Sequence, residues 1–155
     1  MSSVPADRPP LIGALMRMPV EAVHHRVLAE LHDAGFTDIV GAHLAVLRYP
    51  GPDDRRPSDL AVETGMTKQA MNYLLGQLEQ AGYLARVDDP DDGRSKRIRL
   101  TARGEAVRST ARASITAIEA ELERELGAKQ FAQLRRLLVA LNGCSLVRQA
   151  AARRA

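Results

Sequence analysis

The first ten residues contain repeated prolines and few large apolar groups, which predicts an arm without fixed structure over residues 1–10. The pattern then changes. Leu11, Leu15, Met16, Val20, Val23, Val27, Leu28 and Leu31 recur at steps of three and four, which predicts an amphipathic helix over residues 11–34. Pro19 lies inside it and predicts a kink or a restart, because proline has no N–H to donate. Gly35 predicts the end. Thr37 is placed to cap a second helix carrying Ile39, Leu44, Val46 and Leu47, which Tyr49-Pro50-Gly51-Pro52 stops.

The next stretch is more specific. Residues 57–64, PSDLAVET, read as a short helix with proline and an acid in its first turn. Gly65-Met66-Thr67 reads as a tight turn, with Thr67 as the following N-cap. A second helix then runs over residues 68–81, its buried stripe Met71, Leu74, Leu75, Leu78 and Ala81. Together these predict a helix-turn-helix. After Gly82 the period falls to two. Residues 83–87 read as a strand, 88–93 as a turn cluster and 96–100 as the returning strand, a β-hairpin or wing. Thr101 caps a long helix with Val107, Ala111, Ile115, Ile118, Leu122 and Leu126 as its seam. Gly127 breaks it. A last helix over residues 129–146 carries Phe131, Leu134, Leu138 and Leu141, and residues 150–155 are expected to fray.

The fold class expected is mainly α with a small β-hairpin wing: a winged helix-turn-helix with N- and C-terminal dimerisation helices. The division expected is an arm (1–10), an N-terminal dimerisation helix (11–35), a winged lobe (36–100) and C-terminal dimerisation helices (101–155).

With Met71, Leu74 and Leu78 inward, Lys68, Gln69, Asn72, Tyr73 and Gly76 are left outside. Gln and Asn can read adenine edges bidentately in the major groove. Thr67 and the free N–H groups of the first turn suit a phosphate. The same face also fits an ordinary solvated helix. The wing tips this balance, because Arg94, Ser95, Lys96 and Arg97 put cations at a hairpin tip, where an arginine can enter the narrow minor groove. Arg94, directly after Gly93, is best placed. Asp91 reads as a turn former and Asp92 as a clamp on a neighbouring arginine.

Residues 89–94, DPDDGR, followed after four residues by Arg99-Leu100-Thr101-Ala102-Arg103-Gly104, resemble the wing signature of MarR-type regulators. Leu60-Ala61, Gly65-Met66-Thr67, Leu78-Glu79 and Gly82-Tyr83-Leu84 fit that family in order and spacing. The resemblance covers residues 36–108, and the flanking helices agree in pattern only. It implies a transcription regulator binding double-stranded DNA as a homodimer, with two recognition helices in successive major grooves about 34 Å apart. By position, Thr67, Lys68, Gln69 and Asn72 would face the major groove, and Arg94 would be the wing-tip arginine. Where many relatives have Thr or Ser before Pro57, this chain has Arg56, which offers a backbone contact beside Ser58 in place of a cap.

The bulk numbers exclude little and agree with this. The chain has 155 residues and a net charge of +3, with 22 basic residues of which only Lys68, Lys96 and Lys129 are lysines. One domain with a full core is expected. The single cysteine, Cys144, excludes an internal disulfide and a cysteine-based zinc site, and a buried hydrophobic role is expected for it. No apolar run predicts a membrane span, the N-terminus lacks a signal-peptide layout, and a cytoplasmic location is expected. No cofactor, metal or catalytic constellation is expected. The resemblance implies a small lipophilic or phenolic acid that relieves repression, for which His24 and His43 are candidate contacts; each also fits a plain structural histidine. The rival reading is a non-specific architectural DNA binder or a protein-interaction module that reuses the fold.

Overall fold

The computed structural model describes residues 10–47 and 51–152. The expected arm therefore lies almost wholly outside the described residues, as do Tyr49, Pro50 and the terminal residues 153–155.

Helix α1 spans Ile12–Asp33, α2 Gly41–Leu47, α3 Pro57–Thr64 and α4 Lys68–Gln80. Strands β1 (Leu84–Asp89) and β2 (Asp92–Leu100) follow, then α5 (Ala102–Leu126), α6 (Ala128–Asn142) and α7 (Ser145–Ala152). Helix α1 runs unbroken through Pro19. The residues preceding that proline, Leu15 to Met18, are exposed, so solvent can satisfy the carbonyl it leaves without a donor.

Three expectations are corrected here. Thr37 does not cap α2; the helix starts four residues later, with Val40 before it. The His43 backbone N–H donates to the Val40 carbonyl (2.9 Å), and the Val40 N–H donates back to His43 Nδ1 (3.3 Å). This is a reciprocal cap with histidine where Glu or Gln usually stands. The last helix is two, because the chain turns at Gly143-Cys144 between α6 and α7, and α7 stays helical to Ala152. Cys144 is exposed at that break, not buried.

The core lies under the winged lobe. Val27 and Leu31 of α1, Ile39, Val46, Leu60, the α4 stripe Met71, Leu74, Leu75 and Leu78, and Tyr83, Leu84, Ile98 and Val107 form one buried cluster. The expected α4 stripe is thus inside, apart from Ala81, which is only partly covered. Tyr83 is its largest member. Its hydroxyl donates to the Asp38 carboxylate, accepts from Arg103 (2.9 Å), and the Arg103 guanidinium stacks 4.6 Å from its ring centre. Burial and the bond to Asp38 push the Tyr83 phenol up, while that phenol and Arg103 hold the Asp38 carboxyl down.

The wing is fastened to the stem, meaning the flanking helices α1 and α5 to α7, at one crowded point. Thr101 caps α5 through the Gly104 N–H (3.2 Å) and donates to the Gly82 carbonyl (2.6 Å). A Cβ at Gly104 would overlap the Tyr83 carbonyl oxygen and lie 3.0 Å from Leu100 Cδ2. The stem itself is thinly covered. Helix α6 buries no residue, and Leu11, Ile12, Met18, Leu137, Val139 and Leu146 stand largely in the open.

Candidate nucleic-acid interface

Helices α3 and α4 meet at Gly65, whose left-handed φ of 71° lets its N–H turn back to the Ala61 and Val62 carbonyls. Thr67 then caps α4 by accepting from the Ala70 N–H (3.1 Å). Because Met71, Leu74, Leu75 and Leu78 are buried, the opposite side of α4 faces solvent. Thr67, Lys68, Gln69, Asn72 and Tyr73 are all exposed along it. Gly76 lies on the same helix with open space where a Cβ would be.

The amide of Asn72 is already engaged. Its Nδ2 donates back to the Lys68 carbonyl (3.0 Å), and its Oδ1 accepts from Arg86 of β1 (2.9 Å). Arg86 also lies 3.3 Å from Glu79. A guanidinium thus stands beside the polar face of α4. Nothing in the linear pattern marked Arg86, because it reaches Asn72 only once β1 has folded back along α4.

The hairpin is longer than its pattern predicts. Its strands pair from Leu84↔Leu100 to Asp88↔Lys96, and then Asp89 pairs with Asp92. One step along β1 therefore matches four along β2, which leaves Gly93, Arg94 and Ser95 without partners on β1 as a bulge below the Pro90-Asp91 turn. The Asp92 carboxylate shapes that bulge by accepting from the Arg94 N–H (3.1 Å) and Ser95 Oγ (2.7 Å). Asp92 is the turn former. Arginine clamping falls to Asp89 and Asp91, the reverse of the expected roles. Arg97 NH2 lies 2.9 Å from Asp91, and Arg97 Nε lies 3.0 Å from the Asp89 carboxylate.

The wing cations therefore differ. Arg94 is exposed and makes no ion pair among the described residues. Lys96 pairs with Asp88 across the strands (2.5 Å), yet half of its side chain remains exposed. Arg97 is turned inward, held by Asp89, Asp91 and Asp54. Arg56 is not free either: its Nε donates to Asp89 (2.6 Å), and it gives α3 no side-chain cap. Ser58 bonds the neighbouring Asp59 carboxylate (3.3 Å). Asp89 is the hub that sequence reasoning missed. Burial pushes its carboxyl up, but the Asp91 N–H, Arg56 and Arg97 outweigh that and hold it below the usual carboxylate range. The loop before α3 supports the same strand. Asp54 N–H donates to the Ile98 carbonyl, Ile98 N–H to the Arg55 carbonyl, and Leu100 N–H to Asp53 Oδ1.

Two hollows border the stem. One, of about 850 Å³, lies between the end of α2 and α5, lined by Leu47, Ser109, Arg108, Arg112 and Thr116, with Arg135 of α6. The other, of about 480 Å³, is an apolar groove between α1, α5 and α6, bordered by His24. His43 lines neither; it is buried between Val40 and Gln77. Among the described residues no helix is long and apolar enough to cross a membrane, and there is no cluster of metal-binding type.

Two helices at a glycine turn, with a cation-bearing hairpin beside the exposed polar face of the second, define a winged helix-turn-helix chain. The MarR family model matches residues 35–95. A solved MarR family protein of Mycobacterium tuberculosis, in complex with salicylic acid, is 33% identical; the match covers 88% of this chain and 98% of that one, with a TM-score of 0.63. The chain belongs to the MarR family, a family of transcription regulators and not of enzymes. The HTH-type transcriptional repressor Rv2887 of Mycobacterium tuberculosis is 40% identical over 81 residues, 52% of this chain. The chain spans little more than half the length, 58%, of the curated relatives it matches. Wild-type MarR from E. coli in its apo form shares the fold, with a TM-score of 0.67 at 23% identity, over 87% of this chain and 98% of that one.

Proposed function

We propose that this chain is a sequence-specific repressor of transcription that binds a pseudo-palindromic duplex as a homodimer. One observation carries the reading: the side of α4 bearing Lys68, Gln69, Asn72 and Tyr73 faces solvent, and Arg94, without an ion pair among the described residues, stands exposed on the bulged wing. Major-groove reading by the first and minor-groove entry by the second is the division of labour that winged folds allow. In this reading residues 36–100 form the DNA lobe. The helices on either side form the stem, whose uncovered Leu11, Ile12, Leu137 and Leu146 fit burial against a second copy. The name of the 40% identical relative, a repressor, supports the sign of regulation.

The effector in this reading is a small aromatic acid. The larger hollow offers Arg112 to a carboxylate, beside the apolar Leu47, Ala111 and Ile115, while its Arg108 and Arg135 are paired with Glu105 and Glu119 on the same wall. The salicylic acid and p-aminosalicylic acid complexes of the M. tuberculosis relative, at 33% and 30% identity, support that ligand class. His43, engaged on both ring nitrogens, is not among the contacts proposed.

Selection of bound duplexes from a random pool tests the reading. The expected result is an enriched inverted repeat with half-sites about one helical turn apart, bound at least about a thousandfold more tightly than scrambled DNA. Equal affinity for matched and scrambled duplexes, falling steeply with salt, would favour the architectural reading instead.

A further inference from the structure

Tyr73 is two-thirds exposed (66%) on the outer face of α4, yet its hydroxyl is not free to turn. Gln77, one helical turn along, points its Nε2 at the phenol oxygen from 3.1 Å. The other end of that amide, Oε1, lies 3.1 Å from Nε2 of His43 on α2. His43 Nδ1 in turn accepts from the Val40 N–H.

That last bond decides the others. A backbone N–H can only donate, so His43 Nδ1 is bare, and the proton of the neutral imidazole sits on Nε2. Nε2 therefore donates to the Gln77 carbonyl. This leaves the Gln77 NH2 facing Tyr73, so the phenol oxygen accepts and its own proton is left to be donated outward. Each group has one consistent role, and the chain of roles begins at a buried helix start.

We propose that His43 and Gln77 are positioning residues that present Tyr73 as a hydrogen-bond donor to an acceptor on a base edge in the major groove, making Tyr73 a determinant of sequence preference. This rests on the DNA reading above and deepens it. Base edges there carry N7, O6 or O4 acceptors, which an outward phenol proton matches and a carbon-bound hydrogen does not.

The test uses the full chain, the duplex it selects, and all single-pair variants of that duplex. The variants are Tyr73→Phe, Gln77→Leu and His43→Phe, with the latter two also made in the Tyr73→Phe background. Each single change is expected to weaken the selected duplex roughly three- to tenfold and to flatten preference at the same base pair. In the Tyr73→Phe background, Gln77→Leu and His43→Phe are expected to add nothing. Losses just as large in that background would overturn the relay, since they would come from packing alone. A Tyr73→Phe loss equal across every duplex variant would assign the phenol to the phosphate backbone and overturn its role in preference. If His43→Phe does not fold, the partly exposed Gln77→Leu decides the same point. A wild-type chain that enriches no duplex would bring down the DNA reading together with this inference. Additive losses in a chain that does select would bring down this inference alone.

Discussion

Arg97 Nε lies 3.0 Å from a carboxylate oxygen of Asp89 that solvent does not reach, and the same carboxylate holds Arg56 at 2.6 Å. One buried anion thus ties the start of α3 to the wing at the turn end of β1. Arg97, read as a DNA cation from its sequence position, is committed to that joint, while Arg94 stands clear of it.

The two arginines should therefore fail differently. Arg94→Ala is expected to weaken binding to all duplexes and to lower the salt slope by roughly one, with an unchanged Tm. Arg97→Ala is expected to lower Tm, because it removes one of the two arginines that hold the buried Asp89 carboxylate. Affinity titrations at several salt concentrations, paired with thermal melts, check this. An Arg97→Ala protein with wild-type Tm and the same salt-slope loss would put Arg97 in the groove after all.

Arg86 and Asn72 form one unit beside the α4 face. Asn72→Ala is expected to cost about 1–3 kcal/mol in binding if its amide reads a base, and Arg86→Ala should relax preference at the same base pair by releasing that amide. Binding arrays for both variants check this. Changes at unrelated positions would show that Arg86 does not orient Asn72.

Two glycines in helices should respond with opposite signs. Gly76→Ala meets no neighbour, so it should gain up to about 1 kcal/mol of stability from helix propensity. If Gly76 lets the helix approach the sugar–phosphate wall, the same change should weaken DNA binding. Gly104→Ala must push aside the Tyr83 carbonyl. It should cost about 1–3 kcal/mol or more, several degrees in Tm for a chain of this length. Urea titrations of both proteins check the signs.

Acid should loosen the joint between the loop at Asp38 and the stem. The Asp38 carboxyl is held below its ordinary value, first by the Tyr83 hydroxyl and also by Arg103. A carboxyl lowered in the folded state contributes stability above its unfolded value of about 3.9, and that contribution is lost as pH falls through the lower folded value. Asp38→Asn should therefore flatten the decline in stability below about pH 4. Unfolding curves at stepped pH measure this, and an unchanged acid limb would remove Asp38 from the account.

Much of this architecture is legible in the residue pattern, for physical reasons. The α4 stripe repeats every three or four residues, and the helix-turn-helix glycine and the Thr67 and Thr101 caps are local devices. Contacts between distant segments were not legible. Asp53 and Asp54 meet β2 across some 45 residues, and Arg86 meets Asn72 across 14. Asp91 and Asp92 are chemically alike and adjacent, so only the bulge at Gly93 to Ser95 decides which one turns the chain and which one holds an arginine. The start of α2 was misread because its cap is a histidine reaching back to a backbone N–H, a role that composition gives no reason to assign to His43.

Helix α2 is seven residues long, about 10 Å of stiff rod. Leu47 at one end borders the larger hollow, and His43, one turn back, is fastened to the reading helix through Gln77. If the proposed effector displaced Leu47, the same rod would carry that shift to His43 and so to Gln77 and Tyr73. The chain has no tryptophan and only three tyrosines, so filling the hollow should register as a change in tyrosine emission that disappears when residue 73 no longer carries a hydroxyl.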